Sequence, residues 1–122
     1  MIQLRSILKP ADNSGAKRLM VMHIYVGSKR KWGNLGSEVL CVVKAAAPDG
    51  VVKKKERVRA LVVRTKKAVR RKDGSYIRFD DNAVVLIDKQ GLPKGTRVFG
   101  PVAREIKEKG FTKIASMAKE LI

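Results

Sequence analysis

The stretch Arg57–Ile87, RVRALVVRTKKAVRRKDGSYIRFDDNAVVLI, decides the fold. Ala60-Leu61-Val62-Val63 is a short, β-branched apolar run, the pattern of a buried strand. Arg64, Lys66, Lys67, Arg70, Arg71 and Lys72 follow, with no acid among them. Asp73-Gly74 is the dipeptide favoured in a two-residue type I′ turn, where both central residues need φ > 0. Tyr76, Ile77 and Phe79 return as a second strand, and Ala83 to Ile87 form a third apolar run. A two-residue turn sets Lys72 opposite Ser75, Arg71 opposite Tyr76, Arg70 opposite Ile77 and Val69 opposite Arg78. Each face of that ribbon then carries unpaired cations, which resist burial. The hairpin tip is therefore expected to stand out from the body as a cationic ribbon with a few apolar and aromatic side chains.

Outward from this hairpin the charge stays one-sided. The 122 residues carry a formal charge of +17. Twelve Lys or Arg against two acids, Glu56 and Asp73, fall between Val51 and Phe79. Such an excess points to a polyanionic partner. With 44% hydrophobic residues the chain is globular, not a disordered basic tail. No apolar run approaches the ~20 residues of a membrane span, and no signal-peptide pattern opens the chain. A membrane partner is thus not expected. Cys41 is the only cysteine, which excludes an intrachain disulfide and a cysteine metal cluster and suits a reducing, cytosolic compartment.

Toward the N-terminus, Ile2 to Ile7 reads as a strand ended by Lys9-Pro10, and Ala11-Asp12-Asn13-Ser14-Gly15-Ala16 as a turn cluster. Leu19 to Val26 is apolar on both alternations and is expected to be covered on both faces for part of its length. A loop with Lys29, Arg30, Lys31 and Trp32 follows, then a strand over Val39 to Val43 and the basic triplet Lys53-Lys54-Lys55. Trp32 suits stacking on a base or partner, or a cover for one barrel end. After Gly100 the period becomes helical. Pro101 suits a first helical position and Gly110 a cap, with Glu105 and Lys109 as an i,i+4 pair. Phe111, Ile114, Met117 and Leu121 recur at helical spacing. Many short strands followed by two short helices predict a mainly β protein, a small barrel with a helical C-terminal appendage. The expected organisation is a single domain, 1–122: barrel over about 1–100, including the basic β-hairpin at about 64–79, then a helical region at about 101–122.

Chemistry is sparse. His23 lies within an apolar strand and reads as a satisfied structural histidine. Cys41 between Leu40 and Val42 reads as a small core residue. Asp80-Asp81 before Asn82 reads as a turn. No nucleophile–base pair, metal site or phosphate loop emerges, so neither an enzyme nor a cofactor is expected. The expected phosphate contacts are Arg64, Lys66, Lys67, Arg70, Arg71, Lys72 and Arg78, with Tyr76 against sugar or base. Lys29, Arg30, Lys53 and Lys54 form a second tier. Phe111, Ile114, Met117 and Leu121 are the candidate protein-contact surface, unless that face packs wholly on the barrel. A free-standing single-stranded RNA-binding barrel or RNA chaperone is the rival function, and a hydrolase using His23 and Cys41 a more distant one.

The central stretch closely resembles the universal fourteenth large-subunit ribosomal protein family, in its bacterial form. Ala60-Leu61-Val62-Val63, nine residues to Asp73-Gly74, then Phe79, Asn82 and Val85-Leu86 carry the resemblance. So do Ala11 to Ala16, Gly50-Val51-Val52-Lys53-Lys54, Val63-Arg64-Thr65-Lys66-Lys67 and Gly100-Pro101-Val102-Ala103-Arg104-Glu105. The resemblance implies a closed five-stranded β-barrel, a projecting β-ribbon and two short C-terminal α-helices. It also implies a structural role in the large ribosomal subunit, bound to large-subunit ribosomal RNA, with small-subunit ribosomal RNA met at inter-subunit bridges. Implied protein neighbours are the third and nineteenth large-subunit families, with a ribosome silencing factor as a further partner.

Overall fold

Leu19 and Val21, Val39, Cys41 and Val43, and Val58, Ala60 and Val62 all turn one way from three successive strands, and that shared apolar side closes on itself. The computed structural model describes residues 2–25 and 32–122. Strands β1 (Ile2–Gln3), β2 (Ile7–Pro10), β3 (Ala16–Ile24), β4 (Trp32–Gly33), β5 (Glu38–Ala46) and β6 (Arg57–Arg64) come first. The ribbon strands β7 (Val69–Arg70) and β8 (Tyr76–Ile77), then β9 (Ala83–Ile87) and β10 (Pro101–Val102), follow. Helices α1 (Glu105–Glu108) and α2 (Thr112–Met117) and strand β11 (Glu120–Leu121) end the chain.

The protein is a closed five-stranded barrel in the order β2-β3-β5-β6-β9. Parallel pairing of Lys9 with Ala83 and Pro10 with Val84 completes the closure. Leu8, Leu19, Val43, Val62, Val84 and Leu86 fill the interior. Asp12, buried at the rim, accepts hydrogen bonds from the Leu86 amide (2.9 Å) and the Ser14 hydroxyl (2.7 Å). That satisfies a carboxylate whose burial would otherwise be costly.

Continuous apolar runs in β6 and β9 need a cover on both sides, and the C-terminal segment supplies the second. Leu61, Val63, Ala83, Val85 and Ile87 turn outward against Val98, Val102, Ile106 and Ile114. Burying an aliphatic side chain such as Ile106 or Ile114 contributes about 1.5–3 kcal/mol. α1 ends in a Schellman motif, with the Gly110 amide bonded to Lys107 O and the Phe111 amide to Ile106 O.

Several local expectations are corrected. Pro101 is not a helix start: it lies in β10, opposite Glu120 of β11, and α1 begins only at Glu105. The expected strand Ile2 to Ile7 breaks at Arg5, whose φ is +68°. β3 is covered on one side only, because a register shift between Val21 and His23 turns Ile24 inward and leaves Met22 and His23 exposed. His23 contacts Tyr25 edge-on (4.8 Å) and is exposed, not a satisfied core residue. Glu105 turns away from Lys109 to Arg71, and Lys109 Nζ donates to Leu35 O (3.3 Å).

Cys41 lies in the barrel interior with no exposed surface, remote in orientation from the outward His23. Burial pushes its thiol up to about 12. The raised value leaves stability intact below the unfolded thiol's pKa of about 8.5, and stability is lost as pH rises toward about 12. Native protein is expected to resist iodoacetamide at neutral pH while denatured protein alkylates. Rapid labelling of the native state would contradict the sealed interior.

Candidate nucleic-acid interface

The ribbon turns by a three-residue loop, not two. The Gly74 amide donates to Arg71 O (3.1 Å) and the Arg71 amide to Ser75 O (2.8 Å), with Gly74 at φ +88°. This is a type I turn followed by a left-handed residue. Asp73 reinforces it by accepting from the Ser75 hydroxyl (2.6 Å) and amide (3.0 Å), and the hydroxyl bond lowers the Asp73 carboxyl pKa.

The extra loop residue shifts the register, so Val69 pairs with Ile77 and Arg70 with Tyr76. A one-residue slip exchanges the faces of a strand. Val69 and Ile77 now share the side that packs with Leu35, Phe79 and Ala103 on the body. The ribbon is therefore docked along one face instead of free on both. Arg70, Tyr76 and Arg78 lie on the other face and are exposed, Tyr76 at 67%. Lys66, Lys67 and Lys72 are exposed as well.

Two of the expected phosphate contacts are engaged elsewhere. Continued alternation from Val58, Ala60 and Val62 would aim Arg64 into the barrel. The bulge between Val62 and Arg64 redirects it into the wall. There its side chain is only 8% exposed. Nη1 donates to Phe99 O (2.9 Å) and Pro101 O (3.3 Å), and Nε lies 3.0 Å from Asp81. Nη2 donates to the Asp81 carboxylate (3.4 Å), whereas the Nε–H is not aligned along it. Arg71 ties the ribbon to the C-terminal segment, with Nε 3.0 Å from Glu105 and Nη2 donating to Ile122 O. Here too the Nε–H is misaligned with the carboxylate. A guanidinium held by carbonyls and a carboxylate is not available to phosphate.

The proposed protein-contact set is also corrected. Ile114 is fully buried, and Phe111, Met117 and Leu121 pack on the outer side of β6 and β9. Lys53, Lys54 and Lys55 are all exposed, with Lys53 N donating to the Glu56 carboxylate (2.9 Å). Lys29 and Arg30 lie outside the described residues. Trp32 is half-exposed on β4, which pairs with β1.

The fold adds cations that no run in the chain announced. Pairing of β2 with β3 brings Lys9, Lys17 and Arg18 to a groove shared with Lys66 and Asn82. Lys9 also borders a neighbouring cleft with Arg78 and Phe99. The outer ribbon face and this barrel flank thus form one cationic tract, Arg70, Arg78, Lys66, Lys9, Lys17 and Arg18. Lys17 and Arg18 fall between the turn cluster and the strand expected from Leu19, and only the pairing shows what they join.

No cluster of three or more metal-ligating side chains exists among the described residues, and none of their helices is long and apolar enough to cross a membrane. A small closed barrel with a docked basic ribbon and a cationic flank defines a basic β-barrel protein suited to a polyanion. The family model for ribosomal protein L14p/L23e matches residues 1–122, the whole chain, and the protein belongs to that family. It is a large-subunit ribosomal protein, a structural constituent of the translation machinery from a non-enzymatic family.

Proposed function

We propose that this protein binds large-subunit ribosomal RNA through the cationic tract and contributes to inter-subunit bridges by meeting small-subunit ribosomal RNA. The third and nineteenth large-subunit proteins are its neighbours in this reading, a ribosome silencing factor its regulatory partner, and the cytoplasmic ribosome its location. Family membership supports the assembly. The single observation that carries RNA binding is the exposed face of Arg70, Tyr76 and Arg78 continuing onto Lys66, Lys9, Lys17 and Arg18. Cations displace counterions from phosphates, and an aromatic on the same face packs against sugar or base. A free single-strand binder would spread aromatics over one barrel face. The exposed Tyr25, Trp32, Tyr76 and Phe99 instead belong to separate segments.

The test is titration of large-subunit ribosomal RNA with the protein over a range of salt. Affinity should fall linearly on a log–log plot, and Arg70→Gln and Arg78→Gln should each lower the slope by about 1. Arg71→Gln should leave the slope unchanged while lowering the melting temperature, because Arg71 is held by Glu105 and Ile122. A salt-independent affinity, or a slope change confined to Arg71, would overturn the assignment.

A further inference from the structure

Between the barrel flank and the ribbon lies a cleft of about 510 Å³ whose lining includes Lys9, Arg78, Asp80, Asp81 and Phe99. Its volume is within the range of ligand-sized sites. Three of its features do not belong to a plain phosphate surface.

Phe99 is 51% exposed, a large aromatic in a polar setting. Its backbone is nevertheless pinned at both ends, the amide donating to Ala11 O (2.6 Å) and the carbonyl accepting from Arg64 (2.9 Å). Gly100, at φ +77°, lies so close to the guanidinium that a Cβ there would overlap Nη1. A buried arginine is thus used to fix the main chain beneath an exposed ring, which makes Arg64 a positioning residue.

The second feature is acidic. Asp81 is compensated by Arg64 (3.0 Å) and more loosely by Lys9 (3.9 Å). Asp80 is exposed, and no described residue forms an ion pair with it. An uncompensated carboxylate in the middle of a cationic tract weakens phosphate binding. It accepts hydrogen bonds only, so a ligand group that contacts it must donate them.

The third feature is the pair of flanking cations. Lys9 and Arg78 border the same cleft and can hold the backbone on either side of an inserted group. Unpaired RNA bases are recognised in this manner, stacked on an aromatic ring and read along their Watson–Crick edge. Guanine alone presents two adjacent donors there, N1–H and N2–H, matching both oxygens of one carboxylate.

We propose that this cleft takes one unpaired guanine nucleotide of the bound RNA, its base stacked on Phe99 and its Watson–Crick edge donating to Asp80. Flanking phosphates lie on Lys9 and Arg78. The inference rests on the RNA-binding reading above and adds base selectivity to it.

Fluorescence anisotropy with the full chain and four short single-stranded RNA probes, differing only in a central G, A, C or U, tests it. The G probe is expected to bind roughly tenfold tighter than the others, the discrimination of one bidentate pair. Asp80→Asn should tighten the A, C and U probes by removing a negative charge while erasing the preference for G. Phe99→Leu should weaken all four, since stacking is sequence-tolerant. A purely electrostatic Asp80 would instead tighten all four equally. Equal wild-type affinities, or a G preference that survives Asp80→Asn, overturns the guanine site and leaves RNA binding standing. Absence of binding to every probe and to ribosomal RNA overturns both.

Discussion

Arg64→Ala is expected to destabilise the protein by about 2–4 kcal/mol, or roughly 10 °C in melting temperature for a chain of this size. The substitution removes the donors that satisfy Phe99 O and Pro101 O and strips Asp81 of its closest cation. Breaking a buried pair costs ~3–5 kcal/mol when the remaining charge stays buried. Asp81 is 32% exposed, so water takes up part of the lost interaction and the expected loss falls to about 2–4 kcal/mol. Lys66→Ala, four-square in solvent two residues on, should change stability by no more than about 0.5 kcal/mol. Thermal melts of the two variants in parallel decide the matter. Equal melting temperatures would show that Arg64 does not brace the C-terminal segment.

The loss should be felt beyond the site of substitution. Arg64 holds the strand-to-tail junction at Phe99 and Pro101, and Arg71 holds the ribbon to the same tail at Glu105 and Ile122. Ile122 in turn donates its amide to Val102 O, and Arg104 donates to Ile122 O. Barrel, ribbon and C-terminal helices are therefore linked by two arginines that the charge pattern alone would assign to RNA.

The barrel strands were legible because their apolar runs exceed what one buried face needs. Ala60 to Val63 and Ala83 to Ile87 are apolar at every position, and each is covered inside by the barrel and outside by the tail. The tail's spacing at Phe111, Ile114 and Met117 pointed to a packed helix, but spacing does not say against what. The answer was the barrel's own outer wall.

The ribbon's register was harder to read, since Asp-Gly serves a two-residue turn and also the end of a three-residue loop. Val69 and Ile77 settle it: both are apolar, and only the observed pairing buries them together. Hydrophobic pattern outranks turn preference when the two disagree. The fates of Arg64 and Arg71 were not legible at all. Their partners lie far along the chain, Asp81 and Phe99 at 17 and 35 positions from Arg64, and Glu105 and Ile122 farther still from Arg71 than Asp81 is from Arg64. A bulge that re-aims one side chain leaves no mark in composition. Lys9, Lys17 and Arg18 escaped notice for the opposite reason, being scattered in sequence and gathered by strand pairing.

The central claim is that the outer ribbon face carries the protein onto large-subunit RNA, and the variant Arg70→Glu/Arg78→Glu addresses it. Both side chains are exposed, and no described acid pairs with either, so the fold should survive the reversal. Two reversals place four units of charge change against phosphate, enough to lower affinity by orders of magnitude at physiological salt. The measurement is sucrose-gradient sedimentation of cell lysate under subunit-dissociating conditions, with wild type and variant tracked by antibody. Wild type should sediment with the large subunit and the variant should remain at the top of the gradient. Co-sedimentation of the folded variant with the large subunit would contradict the ribbon's role, and wild type at the top would contradict assembly into the subunit itself.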